Sequence, residues 1–198
     1  MLALFDVDGT LVHVAEEPSF AEAFAETCGF LPDMEWERYR HSTDSGIVRE
    51  ILESRFGREP TDAEVAGVLS RFVGRLERNT LAGVTPLATT PGAAAFVASL
   101  AADGCRVALA TGCVEASARF KVARAGLSLL LREGAFSDAI ADRADILREA
   151  ARGQRPETVV YFGDRPWDVR ASRAAGVGFL GINVSAEGRR ALAEAGAG

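Results

Sequence analysis

The sequence predicts an α/β fold: a doubly wound (Rossmann-like) parallel sheet with an all-helical segment inserted after its first strand. Three short apolar runs carry this prediction, at residues 2–7, 106–110 and 158–162, and a turn and a helical pattern follow each of them. Continuous apolar runs of this length are typical of parallel strands that helices cover on both faces. The alternation of strand and helix from residue 91 onward then predicts right-handed crossovers.

The remaining elements of the sheet region follow in chain order. We expect a weaker fourth strand at residues 177–182 and a fragment of a fifth at 139–140. Four helices are predicted between the strands, at residues 92–102, 114–125, 144–151 and 168–175. Each of them ends close to a glycine, which is the residue that most readily terminates a helix.

Residues 13–88 break this alternation. Helical patterns occur there at residues 20–28, 33–40, 45–56 and 62–79, and we find no convincing strand among them. We therefore predict a core domain formed by residues 1–12 and 89–198 and a helical domain formed by residues 13–88.

The amino-acid composition limits the kinds of molecule that the protein is expected to bind. Among 198 residues, 48% are hydrophobic, the formal net charge is −6 and the pI is about 5.1, so nothing favours nucleic acid or an anionic membrane as a partner. The opening apolar stretch is interrupted by Asp6 and Asp8, so it does not match a targeting signal. The 3 cysteines form no CxxC pair, which indicates free thiols and a cytoplasmic location. Monomer and homodimer both stay open.

Acidic or hydroxyl side chains follow the predicted strands at the point where each strand ends. Asp6 and Asp8 follow the first strand, Thr111 follows the second, and Asp164 and Asp168 follow the third. Because ligands of open α/β sheets bind beyond the carboxyl ends of the strands, we expect these side chains to share one crevice. Clustered carboxylates repel one another unless a cation joins them, and oxygen ligands are those that Mg²⁺ prefers.

The Asp-x-Asp-Gly turn has a chemical interpretation. One carboxylate can attack phosphorus as a nucleophile, and the other can protonate the leaving oxygen and later activate water. A metal ion lowers the repulsion between a carboxylate and a phosphate. Gly9 lets the backbone turn closely around a bound group.

Three segments resemble the signatures of the haloacid dehalogenase superfamily of phosphohydrolases. The stretch Asp6-Val7-Asp8-Gly9-Thr10 resembles the first signature, VALATG at residues 107–112 the second, and GDRPWD at residues 163–168 the last. The helical insertion is similar to the cap domain of that superfamily. The resemblance implies Mg²⁺-dependent hydrolysis of a small phosphorylated metabolite through an aspartyl-phosphate.

The resemblance also implies roles for individual residues. Asp6 would be the nucleophile and Asp8 the general acid/base. Asp6, the backbone carbonyl of Asp8, and Asp164 would hold the metal, with Asp168 in an outer, orienting position. The phosphate would contact a larger set of groups, namely Thr111, Gly112, Arg143 and the backbone from Val7 to Gly9.

The third signature departs from the pattern, because similar proteins carry a lysine before the helix that leads to the last strand. Arg143 stands in that region, and we favour it as the basic catalytic group. Lys121, the only lysine of the chain, is the alternative. It lies on the helix after Thr111, where we expect its amine to be in solvent.

A polar loop between two predicted cap helices is the candidate for substrate selection. It contributes His41, Thr43 and Asp44, and Arg49 follows on the next helix. Three other activities stay open: a phosphomutase on the same core, a metal-independent dehalogenase, and a phospho-accepting receiver domain. Asp8 disfavours the dehalogenase, and the position of the acceptor aspartate on the first strand disfavours the receiver.

Overall fold

The computed structural model describes residues 1–197, which form seven strands and eight α-helices. The strands are β1 (Leu2–Phe5), β2 (Val12–Val14), β3 (Leu87–Thr89), β4 (Arg106–Ala110), β5 (Gly134–Ala135), β6 (Val159–Gly163) and β7 (Gly178–Gly181). The helices are α1 (Glu17–Cys28), α2 (Asp44–Phe56), α3 (Asp62–Leu81), α4 (Ala93–Ala102), α5 (Glu115–Arg124), α6 (Arg143–Ala150), α7 (Pro166–Ala175) and α8 (Ala186–Glu194).

The main sheet is parallel and has the strand order β5-β4-β1-β6-β7, which confirms the doubly wound prediction. Apolar side chains alternate between its two faces. Ala3 and Phe5 pack with the cluster that includes residues of α4 and α5, whereas Leu2 and Leu4 pack with residues of α6 and α7. The chain changes direction across the sheet beside β1, so the carboxyl ends of β1, β4 and β6 open into one crevice.

The helices α1, α2 and α3, together with the segments that connect them between β2 and β3, form a separate apolar cluster that we call the cap. Phe20, Phe24 and Phe72 are buried at its centre, and the rings of Phe20 and Phe72 lie 5.1 Å apart. Val114 of the sheet region also belongs to this cluster, so the cap packs directly on the core near the start of α5.

A short antiparallel ribbon joins the cap to the core. Strand β2 pairs with β3 in the register Val12↔Thr89 to Val14↔Leu87. The expectation of no strand in residues 13–88 is therefore wrong at both ends of that segment. Three-residue strands carry too little alternation to be recognised in a sequence.

Two further expectations are wrong. Residues 33–40 form only a 3-10 turn, Trp36–Arg38, because the Asp33 side chain accepts bonds from the Glu35 amide and the Arg38 guanidinium. Such local bonds compete with helix formation. The edge strand is Gly134–Ala135, which pairs with Leu109 and Ala110, and not residues 139–140.

The last helix, α8, was not predicted. It begins after Ser185, whose side chain accepts a bond from the Gly188 amide as an N-cap. Within the described part of the chain, no helix is both long and apolar enough to cross a membrane.

Candidate active site

The turn after β1 places Asp6 and Asp8 at the carboxyl edge of the sheet. The Leu11 and Val12 amides donate to the Val7 carbonyl, at 2.8 and 3.0 Å, and the Gly9 amide donates to the Val12 carbonyl at 2.7 Å. The Gly9 amide is thus committed to the turn, which corrects the expectation that it is available to a phosphate.

Gly9 is required at this turn for two reasons. Its φ of +77° lies in the left-handed region, and a Cβ at this position would overlap the Asp164 carboxylate. The absence of a side chain therefore allows the turn after β1 to approach the acid that follows β6.

Asp6, Asp164 and Asp168 converge at the ends of β1 and β6. Each offers a carboxylate oxygen, and these three oxygens lie within 4.8 Å of one another. The Asp168 oxygens are both occupied. One accepts from the Arg143 guanidinium and the Tyr161 hydroxyl at 2.7 and 3.0 Å, and the other from the Asp164 and Arg165 amides at 3.1 and 3.0 Å. Asp168 therefore holds the loop after β6 in place.

Asp164, unlike Asp168, lacks a full set of hydrogen-bond partners. Its Oδ1 atom is buried and has no hydrogen-bond partner. Burial, with further contributions from Asp168 and Asp6, raises the pKa of Asp164 to about 8. A carboxyl in this state needs either a proton or a cation, and hard oxygen ligands of this kind fit Mg²⁺.

Arg143, the first residue of α6, lies in the centre of the acidic cluster. Its Nη1 is 3.0 Å from Asp6 Oδ2 and 2.7 Å from Asp168 Oδ1. Its Nε and Nη2 donate to the Ser42 carbonyl of the cap, at 3.2 and 2.6 Å. One guanidinium thus contacts the acid at the end of β1 and the cap at the same time.

Gly112 makes this contact between cap and core possible. A Cβ at Gly112 would overlap both the Arg143 guanidinium and the Ser42 carbonyl oxygen. The Gly112 carbonyl also accepts from the Asp44 amide at 2.7 Å. The turn after β4 is therefore in close contact with the cap loop.

Lys121 does not have its amine in solvent, so that expectation is wrong. The side chain is fully buried, and its Nζ lies 2.6 Å from Asp8 Oδ2 and 2.5 Å from Glu16 Oε2. Burial lowers the pKa of Lys121, but the charges of Asp8, Cys113 and Glu16 outweigh it and hold the pKa well above its usual value. Two turns of α5 carry this side chain back toward the crevice, because helical side chains point toward the N-terminus.

Glu16 and Cys113 also lie around Asp8 and Lys121, and the sequence interpretation did not assign either of them to the site. The Cys113 thiol donates to Asp8 Oδ2 at 2.9 Å. Burial, followed by repulsion from Asp8, raises the pKa of Glu16 to about 8. The sequence signal for Glu16 was its place in the short connection between β2 and α1, beside the first signature.

The structure separates the four residues proposed for the cap loop. Thr43 and Asp44 line the cavity over the acids, whereas His41 lines a neighbouring cavity. Arg49 pairs with Asp62 on the cap surface and lines neither cavity, so its proposed role is not supported. Asp44 Oδ2 accepts from the Val114 amide at 3.0 Å, which fixes the cap loop to the core.

The cavity over the acids has a volume of about 1000 Å³. Asp6, Asp8 and Thr111 lie on its core side, and Phe20, Trp36 and other cap residues lie opposite. Thr111 is buried, and its Oγ1 accepts from the Cys113 amide at 3.3 Å. The arrangement combines a potential nucleophile, a second acid, a potential cation site and a basic group in one cavity.

Comparisons with known proteins agree with this geometry. Residues 1–176 match the family model described as haloacid dehalogenase-like hydrolase. A phosphoglycolate phosphatase of Cereibacter sphaeroides is 29% identical over 197 residues, covering 89% of this chain and 82% of the relative. A phosphoglycolate phosphatase of Rhodospirillum rubrum is 28% identical over 187 residues, covering 88% and 76%.

Solved structures show the same fold. A hydrolase from Pseudomonas syringae superposes with a TM-score of 0.72 at 19% identity, covering 98% of this chain and 90% of the other. CbbY from Rhodobacter sphaeroides, in complex with phosphate, gives a TM-score of 0.70 at 24% identity, with coverage of 93% and 86%.

Proposed function

This chain belongs to the haloacid dehalogenase-like hydrolases, and from that premise we propose that it hydrolyses a small phosphomonoester through an aspartyl-phosphate on Asp6, with Mg²⁺ as cofactor. The observation that carries the proposal is the convergence of Asp6, Asp8 and Asp164 in one cavity that the cap covers. The names of the relatives support the phosphomonoester class of substrate.

Asp6, the backbone carbonyl of Asp8, and Asp164 are the groups that would hold Mg²⁺. The buried, unpartnered Oδ1 of Asp164 supports this assignment, and the fully occupied oxygens of Asp168 support an outer position for that residue. When bound, the ion would offset the charge of the phosphate so that a carboxylate can approach it.

In the first step, an Asp6 oxygen attacks phosphorus, an oxygen–phosphorus bond forms, and the bond from phosphorus to the leaving oxygen breaks. A protonated Asp8 delivers its proton to that leaving oxygen. The Oδ2 atom of Asp8 is held by Lys121 and Cys113, whereas Oδ1 is buried without a partner, so Oδ1 is the atom suited to carry the proton.

In the second step, the Asp8 carboxylate takes a proton from a water molecule, and the water oxygen attacks the phosphorus atom. The bond between Asp6 and phosphorus breaks, and inorganic phosphate leaves. Lys121 is fully buried and does not line the cavity, so it acts on this step only through Asp8. We therefore assign Lys121 as a positioning residue.

Arg143 takes the role of the basic group at the nucleophile. Its guanidinium holds Asp6 in place, and with Thr111 it would contact the phosphate oxygens. Arg143 also donates to the Ser42 carbonyl, and this bond holds the cap loop against the core beside Asp6. A covering cap excludes water, which strengthens charge interactions in the cavity.

The test is phosphate release from a panel of phosphomonoesters that includes p-nitrophenyl phosphate and 2-phosphoglycolate. We expect turnover with Mg²⁺, none in chelator, and poor replacement by Ca²⁺, which accepts longer bonds and more ligands. Rapid acid quench during turnover, followed by peptide mass spectrometry, should find a phosphoryl group on the peptide that contains Asp6. Full activity in chelator would contradict the proposed role of Mg²⁺ and would favour the metal-independent dehalogenase alternative.

A further inference from the structure

A second cavity lies beside the one over the acids, at the seam between cap and core. Its volume is about 580 Å³, and the residues that line both cavities are Trp36, Ser42, Arg143, Arg165, Trp167 and Ala191. We infer that this second cavity binds an anionic oxygen group. That group is either the far end of the substrate's leaving group or a separate small anion.

The active-site cavity offers a second anionic group little unpaired positive charge. Its two arginines, Arg143 and Arg165, already pair with Asp6 and Asp164. Beyond the acids assigned to catalysis, Glu17, Asp44 and Glu187 also line it, and contacts between like charges are unfavourable. The second charge of a dianionic substrate is therefore better placed outside this cavity.

The second cavity has the opposite charge. Besides Arg143 and Arg165, which also line the active-site cavity, it is lined by Arg40 and Arg170, against the two acids Glu37 and Asp142. One Asp142 oxygen is occupied as the N-cap of α6, where it accepts the amides of two residues in the first turn. This concentration of arginines is notable in a protein with a net charge of −6.

Two of these arginines are free to bind a ligand. No ion pair among residues 1–197 involves Arg40 or Arg170. The rings of Trp36 and Trp167 line the same cavity. Guanidinium groups with unused donors can contact carboxylate or phosphate oxygens in a bidentate way.

The arginines come from both parts of the molecule. Arg40 precedes the cap loop, whereas Arg165 caps α7 and Arg170 lies on α7 in the core. An anion between them would contact cap and core together, in addition to the bond from Arg143 to the Ser42 carbonyl. Binding of the anion would therefore favour the covered arrangement of the active site.

The experiment compares 6-phosphogluconate with glucitol 6-phosphate, two linear substrates that differ at the far end in a carboxylate and a neutral hydroxyl group. The variant is the double substitution Arg40→Gln/Arg170→Gln. The control, Arg124→Gln/Arg190→Gln, removes the same charge from two exposed arginines that line neither cavity. The substrate arm rests on the proposed function.

We expect the wild type and the control to prefer 6-phosphogluconate in kcat/KM by about tenfold, the scale of one charge-assisted hydrogen bond. The double variant should lose this preference, and added salt should reduce it in the wild type. If the occupant is instead a separate anion, substrate preference is absent, but inorganic sulfate raises the Tm of the wild type and the control more than that of the double variant.

A failure of this inference can be distinguished from a failure of the proposed function. The inference is overturned if the double variant and its control behave alike in both the kinetic and the sulfate measurements. The proposed function fails if the wild type with Mg²⁺ releases phosphate from no phosphomonoester, including p-nitrophenyl phosphate. In that case the sulfate measurement still decides whether the second cavity binds anions.

Discussion

The cap and the core differ in where they place their charged side chains. In the core, Lys121 is fully buried and the Arg143 side chain is 10% exposed, and both contact acids around the cavity. In the cap, ion pairs such as Arg58 with Glu64 lie at the surface, while the interior is formed by aromatic and aliphatic side chains.

This difference indicates that the buried charged groups of the core serve catalysis rather than stability. Burying an ion pair removes two charges from water, and the attraction between them often fails to repay that loss, so a buried pair is weak evidence for stability. Buried, perturbed acids in a cleft are instead a feature of functional sites. Surface pairs contribute little to stability. We therefore expect substitutions in the core site to affect turnover and substitutions in the cap interior to affect folding.

The largest effect should come from Asp6→Asn. The amide has nearly the same shape but cannot attack phosphorus, so kcat should fall by more than about 10⁴-fold, as when other enzymes lose a nucleophile. Phosphate release and thermal unfolding, measured on the same preparation, test this. A folded Asp6→Asn protein with a normal rate would remove the basis of the mechanism.

Among substitutions in the cap, Phe72→Ala should have the largest effect on folding stability. Phe72 is fully buried on α3, and deleting its ring should lower the free energy of unfolding by about 3–5 kcal/mol. The control is Leu81→Ala on the same helix, which is 68% exposed and should change stability by less than about 0.5 kcal/mol. Denaturant unfolding measures both variants. If the two substitutions cost the same, the cap does not have the apolar interior described above.

The two basic groups of the core allow a finer comparison. Arg143→Ala should reduce kcat/KM by about 10²–10³-fold, because a donor at the nucleophile is lost, and Arg143→Lys should recover part of it. Lys121→Met keeps the length of the side chain and should lower kcat by a similar factor with little change in KM, since Lys121 does not line the cavity. Steady-state kinetics of the three variants, with folding checked by circular dichroism, tests both assignments.

The outcomes for these variants can also contradict the structure. A normal kcat in a folded Lys121→Met protein would show that contact with Asp8 has no role in turnover. A large change in KM alone would place Lys121 in contact with the substrate, in disagreement with its full burial.

The parts of the site that could be predicted are those that directly follow a recognisable strand, because the carboxyl ends of parallel strands meet at one edge of the sheet. Asp6 and Asp8 follow a continuous apolar run, and that local pattern was enough to place them at the end of β1. The pairing of Lys121 with Asp8 joins residues 113 positions apart, and the contact of Arg143 with Asp6 joins residues 137 positions apart. Their positions depend on how α5 and α6 pack, which no local pattern reports.

In the cap, too, local sequence patterns predicted some elements correctly and others wrongly. Its long helices were predicted because apolar side chains recur at helical spacing, whereas residues 33–40 were misassigned as a helix. There the outcome depended on bonds to Asp33 from two nearby residues, and a single side chain can redirect a short segment.

The smallest effect concerns the start of α3 on the cap surface. Thr61 and Glu64 form a capping box, in which each side chain accepts a bond from the backbone amide of the other residue. Thr61→Ala should lower the free energy of unfolding by about 1 kcal/mol without changing kcat. Chemical denaturation and phosphate release test the two parts. A change in kcat would show that the cap surface is coupled to the chemistry and would weaken the contrast drawn above.

The same box also predicts a pH dependence. The Arg58 guanidinium, with the Thr61 amide and hydroxyl, lowers the pKa of Glu64 from 4.5 to about 2. A carboxyl whose pKa is lower in the folded state stabilises the fold above its unfolded pKa, and that contribution is lost as the pH falls through the folded value. The stability difference between wild type and Glu64→Gln should therefore be constant above about pH 5 and shrink between about pH 4.5 and 2. Denaturation curves across this range measure it, and a difference that grows on acidification would contradict the assigned bonds.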